Sequence, residues 1–537
     1  MNHIHSSTKE YDAIIVGAGF SGLYQLICLR DQLGLKCVVL ETGDDVGGTW
    51  YWNRYPGARC DTESHAYSYY FSDELLKEWT WSERYPGHEE IRKYMNFVAS
   101  KFDLKKNILF KQKVTSAKFI EDSNNWYVKT DNNNFKCKFL ITAVGCLSNT
   151  NIPKIKGLEH FEGSYYHTGN WPKNGVSFVN KTVGQIGTGS TGIQAVPVIA
   201  AEAKHLTVFQ RTANYSIPAR NKPLTEEFKK QVKKNFQYYR DLIKRTPNAH
   251  PFEISDRLVS DVNSEEMNQI YEKAWEKGGL QFRAAFNDLV TNFEANKTAS
   301  DFIKNKINET VLNKKFASIL SDIDHPYAGK RPPIDSNYFE TYNRDNVNLI
   351  DLRRDPIKCI NKNGIETEKN NFDLDIIVFA TGYDAMTGPL LNMNIFGKNN
   401  LKLKNDWKEG PKTFLGLQIP GFPNLFTITG PGSPSVLTNM PMAIEQHVEW
   451  IRDCISFMIK KKYTIIEARP NLAKKWGQEV NRVANKTLLP TVKHSWYLGA
   501  NIPGKPRVFM PYAGGLPRYS KICDDVKKNN FEDFILA

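Results

Sequence analysis

Residues 11–41 read YDAIIVGAGFSGLYQLICLRDQLGLKCVVLE, and residues 181–212 read KTVGQIGTGSTGIQAVPVIAAEAKHLTVFQRT. Each stretch predicts the same unit: an apolar strand, a GxGxxG loop, an amphipathic helix and a second apolar strand. In the first, strands are expected over Ala13 to Val16 and Cys37 to Leu40, around Gly17, Gly19 and Gly22. In the second they are expected over Thr182 to Ile186 and Leu206 to Phe209, around Gly187, Gly189 and Gly192. Such glycines allow a tight turn, close backbone approach to a pyrophosphate and close packing of helix on strand. The helix that follows offers free N–H groups to phosphate. A lone GxGxxG is weak evidence; the whole unit, twice over, predicts an α/β chain with two Rossmann-like dinucleotide-binding domains.

One position tells the two sites apart. Nineteen residues after Gly22 stands Glu41, where a carboxylate accepts hydrogen bonds from ribose hydroxyls. Nineteen residues after Gly192 stands Arg211, followed by Thr212. A carboxylate there would repel a ribose 2′-phosphate, whereas a guanidinium grips it with paired, charge-assisted hydrogen bonds. The first site therefore reads as FAD-binding, with Phe20 and Ser21 in its loop. The second reads as NADPH-binding, with Thr188, Ser190, Thr191 and Gln194 in its loop and helix. A third signal is FDLDIIVFATGYDA, residues 372–385, a strand ending in an Ala380-Thr381-Gly382 turn where the chain can cross between domains.

The chain's 537 residues suffice for two or three cores, and 41% hydrophobic with 24% charged residues describes an ordinary globular protein. No apolar run is long enough to cross a membrane, and the polar start carries no signal-peptide pattern, so a cytoplasmic protein is expected. The eight cysteines are scattered without a CxxC pair, which disfavours a zinc ribbon or a redox dithiol. His3 and His5 form an HxH, read as a polar tail rather than a metal site. The net charge of +13 sits largely in Lys-rich stretches such as 229–234 and 304–315. Solvated helix faces explain it better than a nucleic-acid surface, and it also helps attract an anionic cofactor. Leu224, Phe228, Val232 and Phe236 recur every four residues among lysines, so 218–328 reads as a helical insertion on the NADPH domain.

Residues 161–172, FEGSYYHTGNWP, match the FxGxxxHxxxWP fingerprint of type I Baeyer–Villiger monooxygenases through Phe161, Gly163, His167, Trp171 and Pro172. Residues 47–61, GGTWYWNRYPGARCD, match that family's GGxWxxxRxPGxxxD block, and 328–347, AGKRPPIDSNYFETYNRDNV, its Lys-Arg segment. The chain resembles this family, in the same order, from about Tyr11 to about Gly515. The resemblance implies FAD, NADPH and O2 as co-reactants and conversion of ketones to esters or lactones through a flavin C4a-peroxide and a Criegee-type adduct. Aromatic, linear or cyclic ketones are the implied substrates, with sulfides as a further class.

The same resemblance implies the roles of particular residues. Arg331 is the positive charge beside the reacting oxygens, and Asp61 is its carboxylate partner. Gly48, Thr49, Trp50, Asp61, Tyr67, Val114 and Met440 are implied around the flavin; Arg59, Lys330, Arg331 and Trp496 around NADPH. Ser435, Val436 and Leu437 lie in the implied substrate loop GPGSPSVLTNM, residues 430–440. His167 and Trp171 read as hinge residues. Cys146 departs from a close relative's glutamine, so no flavin contact is carried over to it. The expected layout is an FAD domain from 1–147 and 384–537, an NADPH domain from 148–217 and 329–383, and the insertion at 218–328. A ketone and O2 are the expected partners, without nucleic acid, membrane or metal, in a monomer or weak oligomer. Two rivals remain: a flavin monooxygenase that oxidises nitrogen or sulfur, which would lack the Trp171-Pro172 ending, and a non-catalytic NADPH sensor, which would not need Asp61, Lys330 and Arg331.

Overall fold

In the computed structural model, which describes residues 8–537, the first expected strand extends over Lys9–Val16. It runs between Cys37–Leu40 and Asn134–Thr142, parallel to both. Ala13, Ile14 and Ile15 are fully buried, as a strand covered on both sheet faces requires. The sheet has eight strands drawn from both ends of the chain. Asn125–Thr130 pairs with the start of Asn134–Thr142, and Leu425–Thr427 pairs with its end. Val114–Ile120 and Asn394–Phe396 complete that side, and Ile108–Leu109 closes the other. The His3–His5 pair lies outside the described residues.

The second glycine loop belongs to a five-stranded, all-parallel sheet in the order Val347–Asp351, His205–Gln210, Thr182–Ile186, Ile376–Phe379, Ser164–His167. The stretch 372–385 is thus divided, since Asn371–Asp373 joins a separate three-stranded antiparallel sheet with Ile357–Asn361 and Gly364–Thr367. Two crossings link the large sheets, and they run side by side. Asn151 N–H donates to Gly382 O at 3.0 Å, the Thr381 hydroxyl to Asn151 O at 2.6 Å, and Asp384 N–H to Asn149 O at 2.9 Å. Gly382 sits at φ +79°, a left-handed conformation that an L side chain would strain.

Two local readings need correction. The first glycine-loop helix is α only over Phe20–Leu26 and continues as a π turn over Ile27–Gln32. The four-residue apolar stripe is not one helix: Glu226–Lys234 ends at Asn235, and Phe236–Arg245 begins anew. Leu224 precedes the helix, whose N-cap Thr225 accepts from Phe228 N–H at 3.2 Å. The stripe closes on Leu75, Trp79 and Trp81 from the first-sheet side. Later helices, Ser264–Lys277 and Phe293–Thr310, bury Tyr271, Ile303 and Ile307 with Val183 and Val208 of the second sheet. The insertion therefore packs on both cores, not on the NADPH side alone. Among the described residues, no helix is long and apolar enough to cross a membrane, and no cluster of three His, Cys, Asp or Glu could hold a metal.

Candidate active site

Both glycine loops have the shape a dinucleotide needs. A Cβ on Gly17 would lie 2.6 Å from Ala143 O, and one on Gly22 would overlap Gly17 O, so strand, loop and helix close only without side chains. Gly19 faces Gly48, whose φ of +52° turns the 47–50 loop over the first helix, where Phe20 and Ser21 are buried. Glu41 ends its strand buried, its two oxygens accepting from Ala18 N–H at 2.7 Å and Gly43 N–H at 2.6 Å. Each carboxylate oxygen keeps a second lone pair for a ribose hydroxyl. Burial raises the Glu41 carboxyl above its usual range, and the backbone donors oppose that. Trp50 Nε1–H donates to the Tyr67 hydroxyl at 3.0 Å, giving that loop a rigid aromatic floor. Val114 is buried at the start of the strand Val114–Ile120, and Met440 opens the helix Met440–Lys461.

At the second loop, Gly187 and Gly192 are again too close to neighbouring backbone for a Cβ, while Gly189 has nothing within 4 Å. Gly189 and Ser190 are exposed at the start of the helix Ser190–Glu202, so its free N–H groups are open to a pyrophosphate. Thr188 donates its hydroxyl to Thr212 O at 3.0 Å, tying the loop to the strand end that carries Arg211. Arg211 is exposed. Burial holds the Lys330 ammonium below its usual range; Asp324 opposes this and the nearby Arg211 charge adds to it. Two like charges brought together at the expected 2′-phosphate position fit a dianionic ligand. Gln194 bridges the two halves, accepting from the Tyr55 hydroxyl at 2.7 Å and donating to Arg59 O at 3.2 Å. The Arg59 guanidinium itself is held by Tyr85 O at 3.0 Å and Glu83 at 3.4 Å.

Between the loops, Arg331 and Asp61 form a two-pronged pair: Nε–H to Oδ2 at 2.6 Å and Nη2–H to Oδ1 at 2.8 Å. Desolvation disfavours both charges, yet each outweighs it for the other, so Asp61 is held below the usual carboxylate range and Arg331 is pushed up. Each charge thus favours the ionised form of the other. Arg331 also donates Nη1–H to Val436 O at 2.9 Å, which joins the expected cation to the expected substrate loop. In that loop Ser435 is fully buried at φ +39°. Cys146 lies beside it, its thiol pushed by burial to about 11 despite the Ser435 hydroxyl, so it remains protonated.

Several residues that converge here carry no sequence signal of their own. Asn248 Nδ2–H donates to Leu437 O at 2.6 Å, its backbone O accepts from Asn439 N–H at 2.9 Å, and its Oδ1 accepts from Arg283 Nη1–H at 2.9 Å. Ala249, at φ +53°, turns the chain so that His250 is buried; desolvation and the Arg331 charge press the His250 imidazole down to about 3. Tyr497, its ring tilted 55° to that of partly buried Trp496 at 4.4 Å, is pushed by burial to about 12, with Arg331 and Arg283 opposing. All come from the insertion or the C-terminal loop, whose paths only tertiary packing decides.

The fingerprint lies under the paired crossings, away from these groups. His167 ends the strand Ser164–His167, accepts at Nδ1 from Gly169 N–H at 3.0 Å and stands edge-on to Tyr383 at 6.0 Å. Desolvation lowers it to about 4 against the nearby Gly382 and Asn151 carbonyls, so it is neutral. A Cβ on Gly163 would strike the Phe161 ring and Asp375 O, and Trp171 is buried against Phe178 and Tyr166, with Pro172 next in the chain.

Two dinucleotide cradles with a fixed guanidinium between them define a pyridine-nucleotide-dependent flavoprotein. The family described as flavin-binding monooxygenase-like matches residues 11–238. Cyclohexanone 1,2-monooxygenase of Acinetobacter sp. is 43% identical, covering 98% of this chain and 97% of its own. A phenazine N-monooxygenase of Lysobacter antibioticus is 39% identical, covering 99% and 98%. The solved structure of an oxidised steroid monooxygenase bound to NADP superposes with a TM-score of 0.94 at 45% identity, covering 98% and 99%. The chain belongs to the flavin-binding monooxygenases, in their Baeyer–Villiger family.

Proposed function

We infer that this protein inserts one atom of O2 beside the carbonyl of a ketone, consuming NADPH and giving an ester or lactone. The observation that carries it is the Arg331–Asp61 pair, bound to the substrate loop and set between the two cradles. When bound, NADPH supplies a hydride to FAD, and the reduced flavin supplies the electrons that activate O2. The protein's part is placement and charge. Asp61 takes Nε–H and one Nη2–H of Arg331, and Val436 O takes one Nη1–H. The second Nη2–H reaches the Thr62 hydroxyl at 3.5 Å, and the remaining Nη1–H is left to stabilise negative charge on the ketone oxygen as an oxygen nucleophile adds to its carbon. Arg331 cannot lose its proton at working pH, so it stays a donor throughout.

Glu41 would hold the FAD ribose, and Arg211, Thr212 and Lys330 the 2′-phosphate. The cradle-bearing units would follow the expected divisions, 1–147 with 384–537 and 148–217 with 329–383, coupled through His167 and Trp171 at the crossings. Eight free thiols, seven of them buried, suit a reducing compartment such as the cytoplasm.

Nitrogen oxidation is a second reading, because one relative over the full length is named for it. Purified protein with NADPH, labelled O2 and a panel of ketones, amines and sulfides separates the two. Esters or lactones carrying one labelled atom support the ketone reading; N- or S-oxides alone across the panel, or purification without FAD, overturn it.

A further inference from the structure

A second guanidinium, Arg283, stands near enough to Arg331 to feel its charge, and only one of the two has a carboxylate. Arg331 is matched by Asp61. Arg283, on the short helix Gly279–Ala284 of the insertion, is only partly exposed, and the one hydrogen bond it makes among the described residues is to the neutral Oδ1 of Asn248. No carboxylate of the described residues pairs with it; the groups that bear on its charge are Tyr327, Tyr497 and Arg331 itself. A cation in that position is costly unless something anionic meets it.

Its location is set by two contacts with the same loop. Arg331 holds Val436 O, and Asn248, between Arg283 and the loop, holds Leu437 O. The guanidiniums therefore approach one three-residue turn, Ser435 to Leu437, from two elements. Ala249, next in the chain after Asn248, stands at φ +53°, a conformation that persists only where its surroundings hold it. Burial and the Arg331 charge both lower the Arg283 pKa, but a guanidinium remains charged at working pH.

We propose that Arg283 is a specificity-determining residue that receives an anionic group of the substrate, so that the preferred ketones are oxo acids. This rests on the ketone reading above and deepens it. The balance is that of the parent reaction: ketone, O2, NADPH and a proton give ester, NADP+ and water. One oxygen atom enters the bond between the carbonyl carbon and its migrating neighbour, the other leaves as water, and the carboxylate is unchanged. A phosphate oxygen of NADPH offers the same anionic chemistry, and the experiment distinguishes the two sources.

The test compares 6-oxoheptanoate with 2-octanone, a neutral methyl ketone of similar length, on the holoenzyme. The wild type should show the higher kcat/KM with the oxo acid. Arg283→Met should lower that value by roughly ten- to a hundredfold more than it lowers the value for 2-octanone, the range of one charge-assisted hydrogen bond, with the KM for NADPH not raised. Arg283→Lys should recover part of the loss. In a separate readout, 6-oxoheptanoate should raise the Tm of the oxidised wild-type holoenzyme and not that of Arg283→Met. Equal losses on both ketones, a raised KM for NADPH, or no oxo-acid preference in the wild type would overturn the proposal. Failure of the ketone reading looks different: neither compound yields an ester, and the Tm shift alone then decides whether Arg283 binds the anion.

Discussion

At the scale of single residues, the pair Arg331–Asp61 makes the sharpest claim. Arg331→Ala should leave reduction of bound FAD by NADPH largely intact, because the cradles are elsewhere. Ester formation should fall by about a hundredfold or more, the usual loss of one donor at a developing oxyanion, with NADPH consumption diverted to hydrogen peroxide. Stopped-flow flavin absorbance and product analysis read the two steps separately; full oxygenation by the variant sinks the assignment. Arg211→Ala should act on the other cradle, raising KM for NADPH by roughly tenfold while leaving NADH nearly untouched, since only NADPH has the 2′-phosphate. An unchanged preference for NADPH would transfer that role to Lys330 alone. Arg211 was legible from its fixed offset after the second glycine loop, and Arg331 only through the resemblance of its segment to the family's. Arg283, Asn248 and His250 were not, because their chemistry arises only when the insertion folds across the 435–437 turn.

At the scale of elements, the loop that carries Trp496 is fastened to the crossing at two points. Asn501 Nδ2–H donates to Tyr383 O at 2.8 Å, and Lys505 reaches Asp384 at 2.5 Å and Ala385 O at 2.7 Å. Tyr383 in turn donates its hydroxyl to Asn53 in the loop beside the first cradle. The Lys505 side chain is only 9% exposed, so breaking this ion pair strands a buried charge. Lys505→Met should free the loop: amide hydrogen exchange over 496–504 should quicken, and the ratio of ester formed to NADPH consumed should drop. Exchange of charges in Lys505→Asp with Asp384→Lys should restore part of that ratio; identical exchange in wild type and Lys505→Met would refute the fastening. The same Tyr383 also meets His167 of the fingerprint, edge-on at 6.0 Å. The sequence pointed to a hinge, yet the break at Asn235 and the π turn after Leu26 escaped it. Apolar spacing is continuous through both, and tertiary packing alone chooses the local geometry.

At the scale of the whole molecule, buried titratable groups set opposing slopes of stability with pH. Burial lowers His167 and His325 to about 4 and His250 and His447 to about 3. Between those values and the ordinary histidine pKa of 6.5 the unfolded chain binds more protons than the fold, so stability is lost as pH falls through that window. Glu445 slopes the other way. Desolvation, with Glu449 nearby, raises it to about 8, against the donors Tyr70 N–H and Phe71 N–H that it accepts. Its contribution is complete below the ordinary value of 4.5 and is lost as pH rises through 8. Glu445→Gln keeps an amide oxygen for both backbone donors and removes the buried charge, while its new N–H group can donate toward Glu449. The variant should therefore melt at nearly the wild-type temperature near pH 4.5, progressively above it as pH rises to about 8, and by a constant margin beyond. A constant offset in Tm across that range would show that Glu445 serves only as a hydrogen-bond acceptor, and the alkaline slope would then belong to another group.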